Sequence, residues 1–132
     1  MSQKFEDAIK EGIRNYARSR AGLPRLIANT SVNHFKDNWR KQGFDDATVH
    51  PWEPRKNRDS GRAILVKSGR LRRSFSYVHT QTRITIINDA PYGFYHNEGT
   101  KRLPQRKFMG ESENLNKKNS RIINGMIKGA LK

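Results

Sequence analysis

The changes of period along the chain predict an α+β domain: N-terminal helices, a small antiparallel β-sheet with a hairpin, and a C-terminal helix. Three observations carry this. Apolar residues recur at helical spacing near both ends of the chain. Between Leu71 and Ile87 the spacing drops toward two. Glycine and proline fall in the stretches where the period changes.

Taken in order, Phe5, Ile9, Gly12/Ile13 and Tyr16 outline a first amphipathic helix, with Ser2 as a candidate cap. Gly22 and Pro24 predict its end near residue 22. Leu26/Ile27, Thr30/Ser31, Phe35 and Trp39 outline a second helix, with Gly43 as its stop. Residues 44–62 (FDDATVHPWEPRKNRDSGR) have no period and predict a long surface loop, pinned in part by Trp52. Ala63–Val66 predicts a short strand or an apolar segment packed beneath the sheet. Leu71–Val78 and Arg83–Ile87 then read as two strands of a hairpin with a polar turn at 79–82. Ile84 and Ile86 share one face of the second strand, and Phe75 and Tyr77 share one face of the first. Pro91–His96 predicts a short helical turn with proline at its start. Residues 99–110 read as an extended basic arm. Ser112 caps a final helix with Leu115, Ile122, Ile123, Met126 and Ile127 on one side.

The chain has 132 residues, enough for one domain and too few for two good cores. Mean hydropathy is −0.96. With two Trp, four Tyr and six Phe, the composition points to a folded but lean core. Partners or further copies of the chain often complete such cores. Net charge is +15 and unevenly spread: residues 1–60 carry 12 basic and 8 acidic side chains, residues 61–132 carry 15 and 4. Nucleic acid is the first partner this suggests, an acidic protein surface the second. There is no cysteine, hence no disulfide frame or thiolate metal site. No apolar run approaches the ~20 residues of a membrane span, and no membrane partner is expected.

Catalytic constellations are sparse. His34, His50, His79 and His96 stand at no metal-binding spacing. His96-Asn97-Glu98 is the one histidine with a close acid, and it lacks the third group that acid–base work needs. Lys67-Ser68-Gly69 lacks the spaced glycines of a phosphate loop, and reads as a turn. The expectation is a protein that is not an enzyme and uses no metal or cofactor. The basic group Arg70, Arg72, Arg73, Lys101, Arg102, Arg106 and Lys107 is the stronger candidate for function, as an electrostatic contact face.

Three segments stand in order after the Trp39 helix: Ile64-Leu65-Val66-Lys67-Ser68-Gly69-Arg70-Leu71-Arg72-Arg73-Ser74, Tyr92-Gly93-Phe94-Tyr95-His96-Asn97-Glu98-Gly99, and Leu103-Pro104-Gln105-Arg106-Lys107-Phe108-Met109-Gly110. Together they resemble the phage virion morphogenesis family, the Mu-type tail completion or head–tail joining proteins. The resemblance covers roughly Phe35 to Lys132. Lys107 and Asn97-Glu98 depart from the family's usual residues. The resemblance implies a structural neck component of a tailed-phage or prophage particle, found in the virion and in the host cytoplasm during assembly. It implies a homo-oligomeric ring, of six subunits, with portal–connector and tail-tube proteins as partners. A ring around the DNA channel would place Arg70, Arg72, Arg73, Arg102, Arg106 and Lys107 for sequence-independent contact with phosphate. Trp52, Tyr92, Tyr95, Phe108 and Met109 would serve packing or contacts with subunits and partners. The alternative is a small basic protein that binds nucleic acid without sequence preference, which the charge alone motivates.

Overall fold

The computed structural model describes residues 3–56, 63–66 and 69–130. The element order is α1 (Gln3–Lys41), β1 (Gly43–Asp45), β2 (Val49–Pro51), α2 (Arg70–Arg73), β3 (Phe75–His79), β4 (Ile84–Asn88), α3 (Gly93–Glu98) and α4 (Glu113–Ala130). The α+β architecture is the one expected. Among the described residues it holds two small antiparallel sheets, β1–β2 and β3–β4, where one was expected. The expected Ser2 cap lies outside the described residues.

The N-terminal helices are a single helix of 39 residues with Pro24 inside it. This corrects the break expected at Gly22–Pro24. A proline within a helix loses one backbone hydrogen bond and costs about 3 kcal/mol. Here the carbonyl that loses its partner belongs to exposed Arg20, where water can serve it. From Pro24 onward Ala28, Ser31, Phe35, Asn38 and Trp39 are buried, and that packing offsets the local cost. Helix α4 runs back along α1 in the opposite direction. Asn114 N donates to Asp46 O at its start, and four residues later Lys118 Nζ reaches His34. Residues 3–22 lie beyond this packing. All are exposed save half-buried Gly12 and Asn15, and their apolar stripe of Phe5, Ile9, Ile13 and Tyr16 faces solvent.

Helix α1 ends at Lys41, two residues before the expected glycine. Gln42 takes the left-handed conformation (φ 52°). Its side chain makes this tolerable: Nε2 donates to Trp39 O at 2.8 Å, and Oε1 accepts from Ile64 N at 2.6 Å. Gly43 is needed for a different reason. A Cβ there would sit 2.6 Å from His50 O across the β1–β2 pair. This β1–β2 hairpin falls in a stretch for which the sequence predicts loop, because strands of three residues carry no detectable period. Residues 57–62 of that expected loop lie outside the described residues.

The expected first strand begins later than its sequence suggests. Arg70–Arg73 form a helical turn entered through Gly69 at φ 76°. Asn88 Nδ2 donates to Leu71 O at 2.8 Å and Asp89 N to Ser74 O at 3.1 Å, so these carbonyls are taken before the ladder starts. The β3–β4 register pairs Phe75 with Asn88 and His79 with Ile84. Phe75 and Tyr77 are half-buried on one face and Ile84 and Ile86 on one face of the partner strand, as the alternation predicts. Thr80 Oγ1 accepts from Thr82 N and Arg83 N to close the turn. Ser112 does cap α4: its Oγ accepts from Leu115 N at 3.1 Å.

The core is small and aromatic. Trp39, Trp52, Leu71, Ala90 and Phe108 form one buried cluster, with Ile64, Leu65, Val66, Phe75 and Met109 packed on it. Trp39 meets Trp52 edge-on at 5.5 Å between ring centroids, and Phe108 at 5.4 Å. Such pairs add to the apolar area they bury. Residues far apart in sequence thus close on one point, drawn from α1, β2's exit, α2, β4's exit and the 106–109 segment.

Candidate functional site

The extended basic segment 99–110 is laid onto the body. Arg106 N donates to His96 O at 2.9 Å and Gln105 Nε2 to Asn97 O at 3.1 Å. Asn97 Oδ1 accepts from both Phe108 N (2.9 Å) and Met109 N (3.1 Å). Asn38 Nδ2 donates to Phe108 O and Trp52 Nε1 to Lys107 O, each at 2.8 Å. Gly99 turns the chain at φ 78°, where a Cβ would meet Gln105 N at 3.0 Å. Gly93 packs so closely that a Cβ would lie 3.3 Å from Leu71 Cδ1 and 3.6 Å from Phe108 Cζ. The three sequence segments singled out above therefore meet around Phe108.

Where they meet, they leave a cavity of about 590 Å³, lined by Arg55, Leu65, Gly69, Arg70, Leu71, Tyr92, His96 and Arg106. Arg106 is held by the strap after β2: its Nε donates to Glu53 O at 2.9 Å and its Nη2 to Pro54 O at 3.3 Å. Arg55 reaches the other way, its Nη2 donating to Ala63 O and Val66 O. Partial burial lowers the Arg106 pKa, and the like charge of Arg55 lowers it further against the opposing pull of Glu53. Burial also lowers the His96 pKa, helped by the Arg106 charge. The His96 ring stands edge-on to Tyr92 at 5.9 Å, and its Nδ1 is buried without a hydrogen-bond partner.

Of the six basic residues expected at a contact face, Arg70 and Arg106 share this cavity. Arg70, Arg72 and Arg73 are exposed on the single turn of α2. Arg102 is exposed in a turn whose Thr100 Oγ1 accepts from Arg102 N and Leu103 N. Lys107 faces the other side of its segment, its ammonium 4.8 Å from the centre of the Phe44 ring. The basic residues are thus spread over more than one face. Of the five residues expected to serve packing or contacts, Trp52 and Phe108 are core residues, 5% and 1% exposed. Their rings are consumed by packing against Trp39. Met109 is half-buried beside them. Tyr92 and Tyr95 do reach the surface, together with Phe94, which is 70% exposed.

Sequence reasoning missed Arg55 and the polar centre behind the core. His34 and Ser112 are buried between α1, β1 and α4. His34 Nε2 lies 3.1 Å from Asp45 O, and a carbonyl can only accept, so Nε2 carries the proton. Nδ1 faces the Lys118 ammonium at 3.0 Å and so is the acceptor. His34 is therefore the neutral Nε2–H tautomer. Its pKa is lowered first by burial, opposed by the bond to Asp45 and reinforced by Lys118. Ser112 Oγ donates to Asp45 O at 2.6 Å, so its proton is committed to a carbonyl and the hydroxyl is no nucleophile. The Asp45 carboxylate pairs with Lys41 and accepts from Asn114 at 2.8 Å. This centre fastens α4 to β1. Among the described residues no cluster of three or more His, Cys, Asp or Glu is placed to hold a metal ion.

No protein family, curated protein or solved structure matches this chain.

Proposed function

We propose that this chain is a structural subunit of a tailed-phage or prophage particle. It joins head to tail as a member of a ring around the DNA channel. The observation that carries the reading is the meeting of the three sequence segments around Phe108. Several motif residues have a task there: Gly69 and Gly99 turn the chain, Gly93 permits close packing and Phe108 fills the core, while Asn97, which departs from the family's pattern, clamps 108–109. A set of residues that builds one shape, with little left over for chemistry, suits a subunit recognised by its surface. The exposed stripe of α1 and the exposed aromatics of α3 are apolar surface of the kind that assembly buries. The net charge of +15 suits a position beside DNA without sequence readout.

The test is loss of the protein from its particle. Filled heads and separate tails are expected to accumulate, and complementation should restore joined particles. Joined, infectious particles that lack the protein would refute the reading. Light scattering after size-exclusion chromatography, over a range of concentration, reports whether the ring forms without its partners. The second reading, a non-specific nucleic-acid-binding protein, is favoured by one observation: Arg70, Arg72 and Arg73 lie exposed on one turn. It requires binding by the monomer that falls steeply with salt.

A further inference from the structure

The first half of α1 carries an apolar seam that the packed part of the chain leaves uncovered. Phe5, Ile9, Gly12, Tyr16, Ser19 and Leu23 recur at alternating steps of four and three. That spacing keeps one face of a helix turned toward a neighbouring helix. Phe5, Ile9 and Tyr16 are exposed, as is Ile13 on the flank, and Leu23 is half-buried where the seam meets the body. The twelve residues from Lys118, beside His34, to Ala130 carry α4 back along α1 only to about the level of Gly22. Helix α4 therefore stops short of the seam.

Two independent observations say what covers it. The first is Gly12, mid-helix, where glycine weakens a helix relative to alanine. A Cβ added there would meet nothing within 4 Å, so the packing of the chain itself does not ask for glycine. On the seam Gly12 leaves a notch that a side chain of an opposing helix can fill. The second is the order of charge. Residues 3–11 hold Glu6, Asp7 and Glu11 with Lys4 and Lys10, whereas residues 12–22 hold Arg14, Arg18 and Arg20 and no acid. The sign reverses along the helix, and an antiparallel copy of the same helix complements it. Glu6 and Arg20 are both exposed, and among the described residues neither forms an ion pair within the chain.

We propose that residues 5–23 of α1 pair, antiparallel, with the same segment of a second copy of this chain. With the two-fold axis at the level of residue 14, Tyr16 of the second copy fills the notch at Gly12, and the reverse. Phe5 lies opposite Leu23 of the second copy and Ile9 opposite Ser19. Ile13 meets its own mate beside the axis. Glu6 meets Arg20 of the second copy, twice per pair. A parallel pair would set acid beside acid and arginine beside arginine. It would also lay the two bodies side by side, and these hold most of the net charge of +15, since residues 3–22 carry five basic and three acidic side chains. The antiparallel pair puts the bodies at opposite ends. Such a two-fold contact closes on itself and makes no ring. The inference therefore goes beyond the ring reading and stands independently of it.

The experiment is sedimentation equilibrium of the full chain from about 10 μM to about 1 mM, the range of weak self-association. A monomer–dimer equilibrium is expected, and Ile13→Asp should abolish it. Glu6→Arg and Arg20→Glu should each weaken it by about 5-fold or more, because each brings like charges together at two places. An equimolar mixture of these two variants should recover the wild-type affinity, since every contact between positions 6 and 20 then joins opposite charges. Orientation is read by cross-linking. The chain has no cysteine, so Ile13→Cys should form a disulfide with its mate on oxidation by diamide. Phe5→Cys should not, its mate being about 27 Å away along the pair. A monomer at every concentration would overturn the proposal. So would a dimer that survives Ile13→Asp, a mixture that fails to recover, or faster cross-linking of Phe5→Cys.

Discussion

Asn38 is fully buried and joins three elements through one amide. Its Nδ2 donates to Phe108 O at 2.8 Å, and its Oδ1 accepts from Asp45 N at 3.1 Å. Asn38→Ala strands both backbone groups away from water. Each buried group left unpaired costs about 1–3 kcal/mol, so the pair together with the lost volume should cost about 4 kcal/mol. With an unfolding entropy of about 2.1 cal/mol/K per residue, that corresponds to a fall in Tm of about 10–15 °C. Chemical denaturation with unchanged m-value is the assay, with thermal melting as the check. Asn38→Asp separates the two bonds. A carboxylate still accepts from Asp45 N but opposes the Phe108 carbonyl, and only its protonated form can donate to it. Its deficit relative to the wild type should therefore shrink from pH 7.5 to pH 4.5. A loss below about 1 kcal/mol for Asn38→Ala would refute the reasoning, since that is the worth of one ordinary exposed hydrogen bond.

Gly99→Ala should cost about 1–3 kcal/mol, the usual strain of an L-residue held in such backbone, and should loosen the 105–109 segment, read as faster amide exchange at Phe108 and Met109. For His34 and His96 the folded pKa lies below the ordinary 6.5. The unfolded chain then binds protons that the folded one refuses. Their contribution to stability is full above about pH 6.5 and is lost as pH falls toward the folded values, with a slope of at most about 1.4 kcal/mol per pH unit for each proton. Melting curves between pH 7.5 and pH 5.5 test this, and His34→Gln, which keeps a donor for Asp45 O, should flatten the dependence. Replacing Arg70, Arg72 and Arg73 together by Gln should lower the salt slope of any DNA binding by roughly 3 units, read by fluorescence anisotropy at several salt concentrations. An unchanged slope would remove α2 from the DNA-facing surface. Ile13→Asp should change the unfolding of the core by less than about 0.5 kcal/mol, the usual range for exposed sites.

The sequence was most legible where one physical signal dominated. The β3–β4 hairpin follows from alternation at Phe75, Tyr77, Ile84 and Ile86, and α4 from its apolar spacing and the Ser112 cap. The Gly22–Pro24 pair misled because local propensity was outweighed by packing that begins at Pro24 and comes from α4, far away in the chain. Gln42 was invisible because its left-handed turn is stabilised by its own side chain reaching Ile64. Arg106 and Arg70 stood out as charge, but the cavity they share did not. Its other half is Arg55 and His96, placed there by the strap after β2 and by α3, and no spacing in the sequence links them. Trp52 and Phe108 take the packing alternative of the expectation, a division among the five residues that the sequence leaves open because a lean composition hides how few aromatics the core can spare.

The long projection of α1 makes this a molecule with two stabilities. At 1.5 Å per residue, the 20 residues from 3 to 22 extend about 30 Å past the point where packing begins. A helix of that length, with Gly12 and Gly22 and no tertiary support, is marginal in water. Its amides should therefore exchange with solvent at rates set by helix–coil equilibrium and not by global unfolding. Warming should bleed away helical ellipticity gradually, well before the cooperative loss of the near-ultraviolet signal from Trp39 and Trp52. Whatever surface eventually holds this rod gains a helix already drafted, and must supply the ordering free energy that the rest of the fold withholds.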